Sequence, residues 1–220
     1  ILLQTSGERL AVNEFQLEFW LAAAQDEAWL SASAPTASGK TYLVLKWLVD
    51  SLGAGKIQRA VYLAPTRALV SEIEASLTEI LAESGVDADV TSLPSAQKYG
   101  ALMKDSRKCV LVFTQERLHL LANVLKDQLN VDLVVVDEAQ KIGDPQRGVI
   151  LQDAIERLLR ASPNMRVAFV SPATQNPEAL LDDAPEATPK HAVDSDVATV
   201  LQNIIVARQV PAKPWQRRCP

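Results

Sequence analysis

The run APTASGKT at 34–41 concentrates more anion-binding chemistry than any other stretch of the chain. A Gly-Lys-Thr at the mouth of a helix, directly after an apolar strand, lets backbone N–H groups and the helix N-terminus converge on phosphate oxygens. Lys40 adds a positive charge at the β- and γ-phosphates, and the Thr41 hydroxyl suits a magnesium ion. Thr36, Ser38 and Gly39 complete the cradle. Ala34 stands where the general pattern has its first glycine and Ala37 where another is common, so a backbone needing positive φ at either place would be strained. A helix start without a ligand is the plainer alternative, and the preceding strand argues against it.

A second cluster, DEAQ at 137–140, follows the apolar LVVV. An aspartate at a strand end can hold magnesium through water, which suits Asp137. A neighbouring glutamate can orient and deprotonate an attacking water, which suits Glu138. Two acids after an apolar run would by themselves read as a solvated loop. Beside a phosphate loop they read as the second half of a phosphoryl-transfer site.

The elements that must position these residues are short apolar runs alternating with stretches of helical period, the pattern of an α/β fold with a mostly parallel sheet and helices on both faces. Strands are expected at 29–33, 60–64, 88–92, 109–113, 133–136 and 167–170, several of them continuously apolar because both faces are covered. Helices are expected at 13–27, 40–52, 67–84, 115–127 and 147–161, with Thr66 as an N-cap and Gly53 as a C-terminal stop. Beyond Pro172 prolines accumulate and the alternation fades. This divides the chain into an N-terminal helical segment at 1–27, a compact domain at 28–190, and an arm at 191–220 in which 197–210 reads as one strand before the tail PAKPWQRRCP.

Composition limits the rest. The chain has 220 residues, 48% hydrophobic and 22% charged, which excludes wholesale disorder and leaves no need for disulfide staples. No apolar run approaches the roughly 20 residues of a membrane span, so no membrane partner is expected. A net charge of -5 confines any nucleic-acid contact to a local basic surface. Cys109 and Cys219 with His119 and His191 lack zinc-site spacing. Free cysteines suit a reducing, cytoplasmic setting. Ile1 opens the chain without a methionine or a signal-peptide pattern, so the chain reads as trimmed or processed.

Taken in order, APTASGKT, APTRAL at 64–69, TQERL at 114–118, DEAQ and SPAT at 171–174 resemble the motifs of the first RecA-like domain of a superfamily 2 helicase of the DEAD/DEAH type, over roughly residues 10–190. The resemblance implies a RecA-like P-loop NTPase fold, ATP and Mg2+ as cofactors, and Lys40, Asp137 and Glu138 as the catalytic set, with Thr41 and Asp137 at the metal. It implies single-stranded DNA or RNA held through its sugar-phosphate backbone by Thr66, Arg67, Thr114 and Arg117. Gln16, at a spacing from Lys40 similar to that of the family's adenine-reading glutamine, is implied in base recognition. Gln140, where relatives carry His or Asp, and Ser171 and Thr174 are implied in coupling the two sides; the register of SPAT leaves Ser171 or Ala173–Thr174 as the motif. Gln115 stands where proline is common.

Family members carry a second RecA-like domain that supplies an arginine finger, and nothing after Lys190 resembles it. The expected function is the ATP-binding half of a nucleic-acid-dependent ATPase. The overall look is similar to the Ski2-like or Lhr-like branch, which includes helicases of antiviral defence and repair. A non-catalytic nucleotide-binding scaffold or partner-interaction module, and a translocase on duplex that does not separate strands, remain as alternatives.

Overall fold

The computed structural model describes residues 2–4, 9–25, 29–35, 38–140, 145–172, 177–195, 208–210 and 213–218. Among these, seven strands form one sheet: β3 (Trp29–Ser33), β4 (Arg59–Leu63), β5 (Asp89–Thr91), β6 (Cys109–Phe113), β7 (Leu133–Val136), β8 (Arg166–Ser171) and β9 (Lys190–Asp194). Their order is β5-β6-β4-β7-β8-β3-β9, and every pairing is parallel. Two antiparallel hairpins lie outside this sheet, β1 (Leu2–Gln4) with β2 (Arg9–Ala11) and β10 (Arg208–Val210) with β11 (Lys213–Arg218).

Strand alternation divides the interior into two cores. Leu30, Ala32, Tyr62, Val112, Val135 and Val170 meet α1 (Glu14–Ala23), α2 (Lys40–Gly53) and α3 (Arg67–Ser84). The intervening residues Val61, Leu63, Phe113, Val134, Val136 and Phe169 meet α4 (Ala96–Lys104), α5 (Gln115–Leu125) and α6 (Pro145–Ala161). Because successive side chains point to opposite faces, a continuously apolar strand fills both cores at once. That is why these strands show no polar alternation.

Local chemistry sets the helix ends. Thr66 caps α3, its hydroxyl accepting from the Leu69 N–H, and Ser95 caps α4 through the Lys98 N–H. α3 ends at Gly85, with φ at +64°, a conformation a glycine adopts without strain. Asn13 and Gln16 form a reciprocal capping box on α1. Arg166, nearly buried, locks α1 to the sheet: its Nη2 donates to the Ala23 carbonyl at 2.9 Å and its guanidinium lies 5.4 Å from the Trp47 ring centre.

Several expectations need correction. The first helix covers Glu14–Ala23 rather than 13–27. Gly53 is the last residue of α2, and the cap is Ala54. Helix α4 was not expected; it is only 9 residues long and carries Gly100 in its interior, whereas Tyr99 and Leu102 anchor it to the core. α5 ends at Leu125, where a 3-10 turn over Lys126–Gln128 takes over. The sheet continues through β9 to Asp194, so the break expected at 190 falls inside a strand paired with β3. The 197–210 strand falls mostly outside the described residues; within it, Arg208–Val210 is a strand, and it pairs with the expected tail in a hairpin.

Phe19 is fully buried and meets Trp47 edge-on, with ring centroids 5.7 Å apart. Phe19→Ala is expected to cost about 3–5 kcal/mol, read as a lower urea midpoint at constant slope. Leu21, on the same helix but 59% exposed, is the control, and its alanine variant should stay within about 0.5 kcal/mol of the parent.

Candidate functional site

The loops after β3, β7 and β8 meet at the carboxyl edge of the sheet, because β8 lies between β7 and β3. Crevices at this edge are where open α/β sheets bind ligands. Hydrogen bonds tie the loops after β3 and β8 to each other and the turn after β7 to β4. The Ala34 N–H donates to the Ser171 carbonyl at 3.3 Å, and the Ser33 hydroxyl donates to the Pro172 carbonyl at 3.1 Å. The Asp137 N–H donates to the Leu63 carbonyl at 2.9 Å, which fixes the start of the acidic turn on β4.

Gly39 is the N-cap of α2, with φ at +74°, and no side chain caps that helix. The first-turn N–H groups are therefore left for a ligand or solvent rather than a side chain. A Cβ at position 39 would come within 3.1 Å of Gln16 Nε2, so both conformation and space call for glycine. Ala34 does not adopt positive φ, and replacing the usual glycine there brings no backbone strain. Ala37 and Thr36 lie outside the described residues.

The Lys40 ammonium donates to the carbonyls of Ala34 and Pro35 and stands 3.4 Å from Ser38 Oγ. Its pKa is lowered, chiefly by burial, against the opposing attraction of Asp137 and Glu138. Ser38 is buried, while Thr41 is exposed on the first turn of the helix. Gln16 spans the gap from α1: its Oε1 accepts from the Asn13 N–H at 3.1 Å and its Nε2 donates to the Ser38 carbonyl at 3.1 Å.

Opposite Lys40 sits the acidic turn. Burial raises the Asp137 pKa, with the Tyr62 hydrogen bond and the Glu138 N–H pulling the other way. Glu138 takes φ of +54°, which a non-glycine residue holds only when its surroundings impose it. Its N–H donates to Asp137 Oδ1 at 2.9 Å, and Gln140 Nε2 donates to Glu138 Oε2 at 2.8 Å. Lys40, Asp137 and Glu138 thus come together as expected, with Ser38, Gly39, Thr41 and Gln16 on the phosphate-loop side.

These residues fit a magnesium nucleotide: an uncapped helix N-terminus and a desolvated ammonium face a carboxylate raised by burial. Lys40 and the α2 N-terminus would hold phosphates, and Thr41 and Asp137 would hold the metal. Gln140 is engaged with Glu138. Ser171 touches the phosphate loop through its backbone carbonyl, and its buried hydroxyl has no partner among the described residues. Thr174 lies outside the described residues.

The four residues expected on a nucleic-acid strand sit at the same edge but farther along it, after β4 and β6. Thr66 and Arg67 are exposed, the Thr66 oxygen already serving as the α3 cap. Thr114 is 8% exposed at the start of α5. Arg117 is partly committed, donating from Nη1 to the Ser92 carbonyl at 3.0 Å and so binding the β5–α4 loop to α5. Sequence reasoning missed that loop, and it missed Tyr62, whose hydroxyl donates to Asp137 Oδ2 at 3.1 Å. A tyrosine among the aliphatic residues Ala60, Val61 and Leu63 of a central strand was the available signal.

A model of the DEAD/DEAH box helicase family matches residues 13–181. The chain is 30% identical over 150 residues to the ATP-dependent DNA helicase Hel308 of Aeropyrum pernix, covering 67% of this chain and 19% of that protein. It is 28% identical over 196 residues to a protein of Mycolicibacterium smegmatis described as Lhr helicase and probable uracil glycosylase, covering 74% of this chain and 13% of the relative. The crystal structure of the DUF1998 helicase MrfA shares the fold, with a TM-score of 0.63 at 22% identity over 84% of this chain and 30% of that one. The chain thus spans about a fifth or less of the length of these two relatives. With the phosphate loop, the acidic turn and the parallel sheet that joins them, the match establishes that the chain belongs to the DEAD/DEAH box helicase family.

Proposed function

We propose that this chain is the ATP-binding half of a nucleic-acid-dependent ATPase that moves on or unwinds DNA or RNA. The observation that carries the reading is the convergence of Lys40, which follows β3, with Asp137 and Glu138, which follow β7 on the far side of β8, at a helix N-terminus that no side chain caps. Bound magnesium would neutralise charge on the phosphate oxygens. Lys40 and the α2 N-terminus position the phosphates. Glu138, its carboxylate steadied by Gln140, orients the attacking water and takes its proton. Gln16 uses one N–H and one lone pair on protein partners, which leaves one of each, the complement of N7 and N6 of adenine.

Thr66, Arg67, Thr114 and Arg117 supply hydroxyls and cations to a single strand's phosphates without reading bases. A second RecA-like domain, in the same longer chain or in a separate one, supplies the arginine finger and closes the cleft. The chain beyond β9 would connect to it. The branch resemblance extends the proposal to antiviral defence or repair. A cytoplasmic, reducing setting is supported by Cys109, buried and free, its thiol pushed up to about 11 by burial. No helix among the described residues is long and apolar enough to cross a membrane.

A nucleotide-binding scaffold without turnover is the second reading, and the Gln140 bond that restrains Glu138 is the observation on its side. Binding of a fluorescent ATP analogue to the chain, beside turnover with and without single-stranded nucleic acid, separates the two once the second domain is supplied. Lys40→Ala is expected to weaken binding roughly 10- to 100-fold by removing a charge-assisted contact. Unchanged affinity would reject the phosphate-loop assignment. Glu138→Gln should keep binding and slow turnover of the complete motor by about 10²–10⁴. Equal turnover in parent and variant would remove Glu138 from the base role, and binding without turnover in the complete parent would favour the scaffold.

The charges of the site also make a stability prediction. Burial raises the Asp137 pKa in the fold, so its charged form costs stability at neutral pH, and the cost vanishes as pH falls below the unfolded value of about 3.9. Asp137→Asn should therefore raise the melting temperature of the ligand-free chain at pH 7, with the gain shrinking in acid. A gain that grows on acidification would contradict this.

A further inference from the structure

Tyr62 is an unusual occupant of its strand. β4 is a central strand, paired with β6 on one side and β7 on the other, and its neighbours Ala60, Val61 and Leu63 are aliphatic. Tyr62 is fully buried, so its hydroxyl must find a partner inside the protein. Register decides which partner. Tyr62 stands opposite Val135 on β7, and Asp137, two residues beyond Val135, projects to the same face. That face is the one covered by α2, the helix that begins at Lys40.

The contact is a donor–acceptor pair of fixed sense. An ionised carboxylate only accepts, so the tyrosine donates, at 3.1 Å to Oδ2. The other oxygen, Oδ1, accepts from the Glu138 N–H at 2.9 Å. One donor on each oxygen fixes the plane of the carboxylate. The two donors come from different sources, a neighbouring strand and the strained turn itself.

We infer that Tyr62 is a positioning residue for the magnesium-binding carboxylate, setting the orientation of Asp137 from beneath the site through a hydrogen bond carried by β4. The inference rests on the reading of Asp137 as the metal-side acid. Its physical basis is general: groups that hydrogen-bond a metal-ligating carboxylate hold it in the binding geometry, and their removal commonly costs 10- to 100-fold in metal affinity. Tyr62 is fully buried and so is not open to nucleotide or metal. Its effect must therefore appear in the magnesium dependence of nucleotide binding and not in the magnesium-free affinity.

The experiment measures binding of a fluorescent ATP analogue by the chain across a magnesium titration, and Mn2+ binding by electron paramagnetic resonance, for the parent, Tyr62→Phe and Asp137→Asn. Circular dichroism melts accompany each, and Tyr62→Leu gives the same readout without the ring should the phenylalanine variant pack poorly. Expected is a roughly tenfold or greater rise in the magnesium and manganese half-saturation of Tyr62→Phe, with magnesium-free affinity unchanged. An unshifted half-saturation in both Tyr62 variants, while Asp137→Asn loses its metal dependence, overturns the role of Tyr62 and leaves the Asp137 reading standing. Metal dependence that survives Asp137→Asn overturns both.

Discussion

The seven strands of the central sheet all run in one direction, and this parallel hydrogen-bond ladder determines where chemistry can take place. Parallel strands end at a common edge, so every loop that follows a strand emerges on the same side of the molecule. The phosphate loop follows β3, the acidic turn follows β7, and Ser171 ends β8, which lies between them. Residues far apart in the chain become neighbours through ladder register. The strand-binding candidates after β4 and β6 occupy the same edge for the same reason, displaced sideways by the strand order.

Burial then gives this edge its electrostatic character. Lys40 loses solvation and its pKa falls, while Asp137 loses solvation and its pKa rises, so both are pushed toward neutrality although each attracts the other. A charged ligand carrying phosphates and a divalent cation, as proposed above, would supply to each group the countercharge that water no longer provides. The same burial makes the supporting hydrogen bonds effective, because a donor competes with little water for the carboxylate it holds. Tyr62, the Glu138 N–H and Gln140 are the donors of that support. The positive φ of Glu138 is the conformational cost of placing two acids and their donors in one tight turn.

The two cores explain why the edge stays rigid. Each strand sends alternate residues into a layer of helices above and a layer below, so shifting one strand by a residue would exchange its entire side-chain set between layers. The helix α1 joins one layer through Phe19 and Arg166 and also touches the phosphate loop through Gln16, which makes the loop's geometry dependent on the packing of a distant helix.

The amino-acid sequence by itself determined most of the alternation of strands and helices, the cap at Thr66, and the order of the chemical segments, because these depend on periodicity and on residue types within a few positions of one another. It marked Lys40, Asp137 and Glu138 for the same reason. It left α4 and the terminal hairpins unmarked, since α4 is short and interrupted by Gly100 and short hairpins depend on pairing rather than propensity. Only the tertiary structure decided that β9 closes the sheet beside β3, that Arg117 is shared with the β5–α4 loop, that Gln16 holds the phosphate loop, and that Tyr62 reaches Asp137. Each of these is a contact across long sequence separation, fixed by strand order and register, and neither quantity is encoded in the local pattern of any one segment.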